Sequence, residues 1–530
     1  MRLRDQYDWV VLGDHPGALL SASLAARLGL SVLVLPFAPG ARLIVSGSGQ
    51  HFDPEPNFML GLAAADQPDQ GVATGLLGLC LKRLGVLASE EELIEVKGCF
   101  HHVLTPSARV SLAPQPEKFE GELKRELGEE RVKRLGLLAA LKGARPELGR
   151  YWAELPRRLT MDPARKGKVA SAERLAQVYR RLGHSVRATN RSAQAWLVKD
   201  HRVSDLMRLH PEMDLEDICR GLWHGVSTSG IHDPELPDFL QAISLANSAG
   251  AYRGGMTAYR EFMLRLARRA GADIPPKTDC RRIFVEAGRL VGIQVSNHGN
   301  MISTPAGVLG CSLEHVSQKV TASGATLFRK LRPAPKPSGW RFSISLTVHA
   351  EAIPAVTPSR LVWQEKDAPA ILIEIVDPAD YGHKEADHRI LFARTILPFT
   401  PETLTVPFQR MTGARMFRQL TEIFPFLEFH VKRVFPDFRT GGSTFVQAKA
   451  PAADAGAEFL EAYPYATLEE IPENLRAYSG PGMGARSGVE GLFVASGESF
   501  PELGSLGPTV AAIESVAWLA HRAGLPGPFA

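Results

Sequence analysis

A short segment near the start of the chain has the spacing of a phosphate-binding turn. Gly13 follows an apolar run, and His15 and Ala18 stand two and five residues later. This is the spacing of G-x-G-x-x-G/A, in which backbone N–H groups at a helix start bind a diphosphate. An acidic residue roughly 20 positions further on then accepts the ribose hydroxyls. Here that position is Pro36, so two of the ligand-contacting positions of a dinucleotide-binding turn are altered.

The altered positions differ in their physical consequences. Ala18 is compatible with the pattern, because the third position needs only a small side chain. His15 places an imidazole where backbone approaches phosphate, although a protonated ring would contact a phosphate bound further out. Pro36 offers neither a carboxylate nor a backbone donor, and losing such a charged hydrogen bond costs about 1.5–3 kcal/mol. The turn therefore keeps its scaffold and leaves diphosphate binding open.

The elements that position this turn can be read from three blocks of hydrophobic pattern. Residues 7–36 predict strand, turn, helix and strand. Residues 251–295 contain a Gly-Gly turn, an amphipathic helix, a strand and a hairpin that closes at 286–289. Residues 491–520 form a buried strand ending at Gly497-Glu498, then a glycine-rich turn and a long apolar helix.

In this order and separation the three blocks resemble the phytoene desaturase and flavin amine oxidase group of FAD-dependent oxidoreductases. The resemblance implies that the strand containing Cys280 lies against the adenine of FAD. It also implies that Gly497 and Glu498 meet the phosphates and ribityl chain. The helix that begins at Gly507 would then point its N-terminus at the flavin.

A fourth element of the family is shortened in this chain. The R-x-GG-R stretch of the family is reduced to Gly40-Ala41-Arg42. The family stretch that follows it corresponds to residues 49–56. Within it, Glu55 replaces a glycine that usually lies near the cofactor. The resemblance implies that Arg42, Glu55 and Glu498 are the polar groups nearest to FAD. No catalytic base can be named from the sequence.

Composition indicates a large folded chain in a reducing compartment. The 530 residues are 45% hydrophobic, which suffices for at least two domains. The five cysteines contain no C-x-x-C pair, which argues against a disulfide framework and a structural zinc site. We predict no metal site, since His51 and His101-His102 lack ligand partners at suitable spacing. We expect a cytoplasmic protein, because neither a signal peptide nor a transmembrane segment is recognisable.

Basic residues are concentrated between Lys142 and Arg191, where thirteen stand against four acidic ones. Tyr151, Trp152 and Tyr179 are interleaved with them. A solvated helical face is one interpretation. The other is peripheral contact with an anionic membrane, where amphipathic aromatic side chains settle at the interface. No nucleic-acid-binding module is recognisable, and the oligomeric state is left open.

The predicted fold class is α/β with α+β insertions, a Rossmann-like FAD-binding domain interleaved with a substrate domain. We assign residues 1–110, 250–325 and 480–530 to the FAD-binding-like domain. Residues 110–250 are predicted as a helical lid, and 326–479 as a mixed-sheet substrate domain, because apolar residues there alternate as in strands.

Two functions remain open. The first is an FAD-dependent oxidoreductase that desaturates or isomerises an apolar, isoprenoid or carotenoid-like substrate, as the resemblance implies. The second is a cofactor-free protein that keeps the fold and binds a lipid or a protein partner. The GDP-dissociation inhibitors, which resemble the same superfamily and carry prenyl lipids, are the precedent. The altered residues at positions 15 and 36 and the shortened Gly40-Ala41-Arg42 stretch favour the second function. The well-preserved C-terminal block favours the first.

Overall fold

A computed structural model gives the structure of this chain. It describes residues 3–36, 44–45, 51–62, 75–86, 90, 93–95, 101–112, 116–142, 151–152, 154–155, 202–209, 215–227, 233–246, 249–276, 278–296, 299, 301–319, 321–323, 333–366, 368–381, 387–438, 455–478 and 482–529. Arg42 and most of residues 142–191 lie outside this set. The predicted cofactor contact at Arg42 and the predicted membrane contact therefore stay predictions.

The described strands and helices are named here in chain order. The strands are β1 Trp9–Gly13, β2 Val32–Leu35, β3 Ile44–Val45, β4 His51–Phe52, β5 Ile94–Glu95, β6 His101–Leu104, β7 Arg109–Leu112, β8 Ala251–Tyr252, β9 Cys280–Glu286, β10 Arg289–Val295, β11 Ile302–Ser303, β12 Gly307–Gly310, β13 Thr321–Ser323, β14 Pro337–His349, β15 Arg360–Trp363, β16 Ile371–Val376, β17 His388–Pro398, β18 Val431–Phe435, β19 Arg476–Tyr478 and β20 Leu492–Val494. The helices are α1 Pro16–Arg27, α2 Leu76–Arg83, α3 Pro116–Leu127, α4 Glu129–Leu135, α5 Val203–Leu209, α6 Leu215–Val226, α7 Leu236–Ala246, α8 Gly255–Ala270, α9 Leu313–Lys319, α10 Val406–Ile423, α11 Leu427–His430, α12 Ala455–Ala462 and α13 Gly507–Arg522.

A four-stranded parallel sheet with the order β2-β1-β12-β20 forms the centre of the first domain. Successive β1 residues point to opposite faces, as in any strand. Trp9 and Val11 belong to the core that includes α1, α8 and α13. Val10 and Leu12 pack instead against a second sheet, β11-β10-β9-β13. Both faces of β1 are therefore buried, which explains why its sequence is a continuous apolar run.

The second domain is built on an eight-stranded sheet. Its order is β18-β14-β17-β16-β15-β6-β7, and β19 pairs with β14. One face carries alternate residues such as Trp340, Phe342 and Ile344 into a core shared with α10. The opposite face turns towards the first domain. The strands β6 and β7 reach this sheet from an early part of the chain, because β6 pairs in parallel with β15.

This architecture confirms the predicted α/β class with a Rossmann-like parallel sheet. Among the described residues, one helical segment, Leu503–Arg522, is long and apolar enough to cross a membrane. In that segment 83% of the most apolar window is buried inside the protein. Such burial is the usual condition of a core helix in a folded domain.

Candidate functional site

The turn between β1 and α1 is closed by groups of the protein itself. Gly13 has a φ of +109° and lies so close to the Gly310 carbonyl that a Cβ would overlap it, so glycine is required. His15 precedes α1, and its Nδ1 accepts a hydrogen bond from the Gly17 N–H at 3.2 Å. That N–H is one of the helix donors that bind phosphate in the glycine pattern. The His15 imidazole therefore takes the place of a ligand atom.

The charge of His15 follows from its surroundings. Burial, and then the Arg260 guanidinium, lower the pKa of His15 to about 3. The ring is therefore neutral at neutral pH, and since Nδ1 accepts from Gly17, its proton lies on Nε2. The sequence allowed a contact between a protonated His15 and a phosphate, and a neutral ring cannot make that charged contact. Nε2 lies 4.0 Å from Oε2 of Glu473.

Glu473 contacts a second turn, the one that follows β20. It begins the short 3₁₀ turn Glu473–Leu475, and its Oε1 accepts a hydrogen bond from the Gly497 N–H at 2.5 Å. This oxygen lies where a Cβ on Gly497 would stand. Burial, and then the neighbouring Glu498 carboxylate, raise the pKa of Glu473 to about 8. A side chain that is neutral near pH 7 thus fills the space that Gly497 leaves open.

Glu498 and Gly507 serve the packing of the first domain. Glu498 is buried, and its carboxylate accepts hydrogen bonds from the Leu313 N–H at 3.0 Å and the Tyr478 hydroxyl at 3.3 Å. Burial raises the pKa of Glu498 to about 7, although the bond from Leu313 opposes this rise. At Gly507 a Cβ would overlap the Phe500 carbonyl oxygen, so a larger residue would not fit there. In this arrangement the Glu498 carboxylate ties β20 to the start of α9.

Two cavities meet at His15 and Glu473. The larger is a cleft of about 1390 Å³, counted to its open mouth, between the parallel sheet, the N-terminal end of α13 and the eight-stranded sheet. The smaller, of about 510 Å³, lies beyond the ends of β1 and β12 and includes Asp14, Cys311 and His315. Both are lined by His15, Glu473, Asn474 and Arg476. These four residues therefore border both cavities.

The wall of the large cleft opposite the turn carries buried arginines. Arg341 on β14, Arg360 on β15 and Arg394 on β17 share the sheet face that lines the cleft, because each alternates with residues of the opposite core. Glu374 on β16 accepts from Arg360 at 2.8 Å and from Arg394 at 2.5 Å. Burial lowers the pKa of Arg360 to about 10, and it also lowers that of Arg341.

Glu55, where the family pattern has glycine, lies in the large cleft. It pairs with Arg260 of α8, and its Oε2 accepts from the Asn474 amide at 2.9 Å. Close by, burial raises the pKa of Asp53 to about 7, and its Oδ2 occupies the space where Gly255 lacks a Cβ. The glycine at the start of α8 therefore accommodates a carboxyl group of this chain.

The predicted site residues separate into three groups in the structure. His15, Glu55 and Gly497 line the cavities, whereas Gly13 and Ala18 support the turn through close contacts with Gly310. Cys280 is buried in the core between the two sheets of the first domain, with Sγ 3.5 Å from the Arg282 carbonyl. Glu498 and Gly507 are packing residues, and Arg42 is outside the described residues.

Glu473 and the arginines of the cleft were not predicted from the sequence. Glu473 belongs to no motif and lies 24 residues before Gly497 in the sequence. Nothing in the sequence therefore indicated that the two residues are in contact. Each arginine of β14, β15 and β17 stands next to an apolar residue that faces the opposite core. The same alternation is typical of a strand with one face in solvent, so the sequence did not indicate that these arginines line a cleft.

The FAD diphosphate does not fit this arrangement of side chains. The donors that would hold it, the N–H groups of Gly17 and Gly497, already donate to His15 and Glu473. The Glu473 oxygen also occupies the approach that Gly497 offers. At position 36 no carboxylate is present for the ribose.

Comparison with known proteins shows the fold. No family model matches this sequence, and no curated protein matches it. An oxidoreductase from Methanosarcina mazei is similar with a TM-score of 0.56 at 14% identity, over 95% of this chain and 98% of that one. Putrescine oxidase bound to putrescine matches with a TM-score of 0.48 at 10% identity, over 98% and 99%. A Rab GDI from Plasmodium falciparum matches with a TM-score of 0.40 at 12% identity, over 86% and 97%.

At these identities a match is evidence of fold. The match to the Methanosarcina mazei oxidoreductase supports the predicted Rossmann-like fold. The finer resemblance to phytoene desaturases stays a prediction.

The raised pKa values of Glu473 and Glu498 predict that stability falls as pH rises. A carboxyl group with a folded pKa above its ordinary value of 4.5 holds a proton in the folded state that it loses on unfolding. Between pH 4.5 and its folded pKa, each such group therefore lowers the free energy of unfolding by up to about 1.4 kcal/mol per pH unit. For Glu473 the window extends from 4.5 to about 8.

Thermal unfolding followed by circular dichroism across this window checks the prediction. We expect Tm to decline most steeply above about pH 6.5, because below it the lowered pKa of His15 favours the opposite trend. Glu473→Gln is expected to reduce the decline, because its amide oxygen still accepts from Gly497. Glu469→Gln is the matched control, because Glu469 is exposed. A Glu473→Gln variant with the same pH dependence as the unmodified chain would contradict the assignment.

Proposed function

We propose that this chain binds an apolar ligand with an acidic group in the large cleft, and that it does so without FAD at the β1–α1 turn. The observation that carries the proposal is the hydrogen bond from the Gly497 N–H to the Glu473 carboxyl group. The Gly497 N–H is a donor that the FAD diphosphate would need, and in this structure it donates to Glu473 instead.

The apolar part of the ligand is inferred from the wall of the cleft near α1, α6 and the eight-stranded sheet. Side chains of five different segments contribute apolar surface there, including Leu20, Phe58, Val226, Val362 and Ile396. Apolar walls with a few converging polar groups are the usual composition of small-molecule sites. This composition favours a hydrocarbon body over a polar one.

The acidic group of the ligand is inferred from the charge of the cleft. Four arginines line it, Arg341, Arg360, Arg394 and Arg476. Glu374 pairs with Arg360 and Arg394, Glu314 pairs with Arg476, and Glu55 pairs with Arg260, so guanidinium groups still outnumber these three carboxylates. The raised pKa of Glu473, which burial causes, leaves that group mostly uncharged near pH 7. The lowered pKa of Arg341 also reflects burial, which costs free energy that an anion in the cleft would offset.

Binding of oleate and of oleyl alcohol tests this proposal. The two probes share a hydrocarbon chain and differ in the carboxylate, so we expect oleate to bind more tightly to the unmodified protein. Arg341→Met keeps an unbranched aliphatic stem and removes the guanidinium charge. We expect it to weaken oleate at least about 10-fold, since hydrogen bonds to charged groups are worth about 1.5–3 kcal/mol, and to leave oleyl alcohol nearly unchanged.

Isothermal titration calorimetry supplies both affinities. Arg268→Met is the matched control, because Arg268 is an exposed residue of α8 and lies outside the cleft lining. The proposal fails if oleate does not bind, or if Arg341→Met weakens both probes equally.

An FAD-dependent oxidoreductase acting on an apolar, isoprenoid-like substrate is the second candidate. The observation that favours it is the N-terminal end of α13, where Pro508 and Thr509 line the large cleft. FAD bound there would accept a hydride from the substrate. The absorption spectrum of the purified protein, repeated after adding FAD, separates the two candidates. We expect colourless protein without FAD uptake; a yellow protein that retains FAD through gel filtration would favour the oxidoreductase.

A further inference from the structure

We propose that His349, Asp387 and His388 form a binding site for a divalent transition-metal ion of the zinc class. His349 ends β14 and His388 begins β17, and the two residues are direct partners in the antiparallel register of these strands. Asp387 immediately precedes β17. The three side chains therefore meet at one end of the longest strand pair of the eight-stranded sheet. None of them lines the large cleft, so this site is independent of the function proposed above.

The geometry brings three metal-ligating atoms together. One ligand atom from each of the three residues lies within 4.8 Å of the other two. The imidazole rings of His349 and His388 have centroids 4.5 Å apart, and Asp387 Oδ1 lies 2.9 Å from His388 Nδ1. A small inward movement of exposed side chains brings such atoms to the separations found around a bound ion. The ring of His430, at the end of α11, flanks His349 with a centroid distance of 6.2 Å.

The ligand chemistry selects the class of metal. Two imidazole nitrogens and one carboxylate oxygen suit Zn²⁺, Co²⁺, Ni²⁺ or Cu²⁺, whereas Mg²⁺ and Ca²⁺ prefer oxygen ligands alone. Three protein ligands leave a coordination position for water or for a further side chain.

Backbone structure and burial hold the site in place. The Ala350 N–H donates to the Asp387 carbonyl at 2.8 Å, which joins the two strand ends next to the side chains. The His388 side chain is 5% exposed and that of Asp387 is 74% exposed. A fixed, buried imidazole at the base and an exposed carboxylate at the rim give an ion access from solvent while one ligand stays preorganised.

Titration of the full-length, tag-free protein with Co²⁺ tests the proposal, because cobalt bound by nitrogen and oxygen ligands shows characteristic visible absorption bands. After removal of metals with a chelator, we expect one Co²⁺ per chain, displaced by Zn²⁺. We also expect Zn²⁺ to raise Tm, since an ion that binds the folded state stabilises it by mass action.

Variants assign the ion to these residues. His349→Ala changes an exposed side chain, so it preserves the fold, and we expect it to weaken Co²⁺ at least about 10-fold and to abolish the rise in Tm. Asp387→Asn is expected to weaken Co²⁺ by a similar factor. His521→Ala is the control, because His521 is an exposed histidine on α13. The proposal is overturned if binding does not saturate at one ion per chain, or if His349→Ala and His521→Ala bind Co²⁺ alike.

Discussion

The double variant His15→Gly, Glu473→Ala is expected to bind FAD at least about 100-fold more tightly than the unmodified chain. The two changes release the N–H groups of Gly17 and Gly497, which now donate to His15 and Glu473. Each N–H could then donate to a phosphate oxygen, and hydrogen bonds to charged groups are worth about 1.5–3 kcal/mol. Two such bonds account for a 100-fold gain, which corresponds to about 2.7 kcal/mol.

Quenching of FAD fluorescence during titration with each protein measures this gain. His15→Gly alone and Glu473→Ala alone are expected to gain less than the double variant, because each leaves one donor occupied. Glu469→Ala is the control, since it removes an exposed carboxylate from the same segment. If the folded double variant binds FAD no better than the Glu469→Ala protein, the two side chains do not block the diphosphate.

Glu374→Ala is expected to lower the free energy of unfolding by about 3–5 kcal/mol, because removing one partner of a buried ion cluster strands the other charges. Glu374 pairs with Arg360 and Arg394 on the cleft face of the sheet, and it also accepts from the Asn57 N–H at 3.2 Å. Without the carboxylate, two buried guanidinium groups lose the anion that compensates them. The variant should therefore unfold at a much lower temperature or accumulate as insoluble protein.

Calorimetric unfolding of the purified variants measures this loss. Glu461→Ala, which removes an exposed carboxylate from α12, is expected to change Tm little and serves as the control. Replacing Glu374, Arg360 and Arg394 together by leucine should recover part of the loss, since a buried ion cluster can be exchanged for apolar packing. Equal Tm values for Glu374→Ala and Glu461→Ala would show that the cluster contributes no stability.

Local patterns were sufficient to predict the elements of the first domain. The segments predicted around residues 7–36 appear as β1, α1 and β2, and the hairpin predicted to close at 286–289 joins Glu286 to Arg289. These succeed because a buried parallel strand, a tight turn and an amphipathic helix each leave a signature within a few consecutive residues. Within residues 326–479, where alternating apolar residues predicted strands, the structure likewise has the long strands β14 and β17.

The contents of the site could not be predicted in the same way. Glu473 meets Gly497 in a contact between loops, and the contact depends on how the second domain is placed over the first. His349 and His388 are neighbours only through strand register, which the sequence does not specify across the intervening elements. Cys280 was assigned from its position in a family pattern, whereas the structure places it in a core. Motif position indicates a fold more reliably than it indicates a contact.

The order of strands in the parallel sheet has a consequence for how the chain folds during synthesis. β20 completes the sheet beside β12, yet it is encoded near the end of the chain, after every strand of the eight-stranded sheet. Until β20 leaves the ribosome, the β12 edge has unsatisfied backbone groups that can pair with other chains. We therefore expect truncations before residue 492 to aggregate, because the β12 edge then stays unpaired.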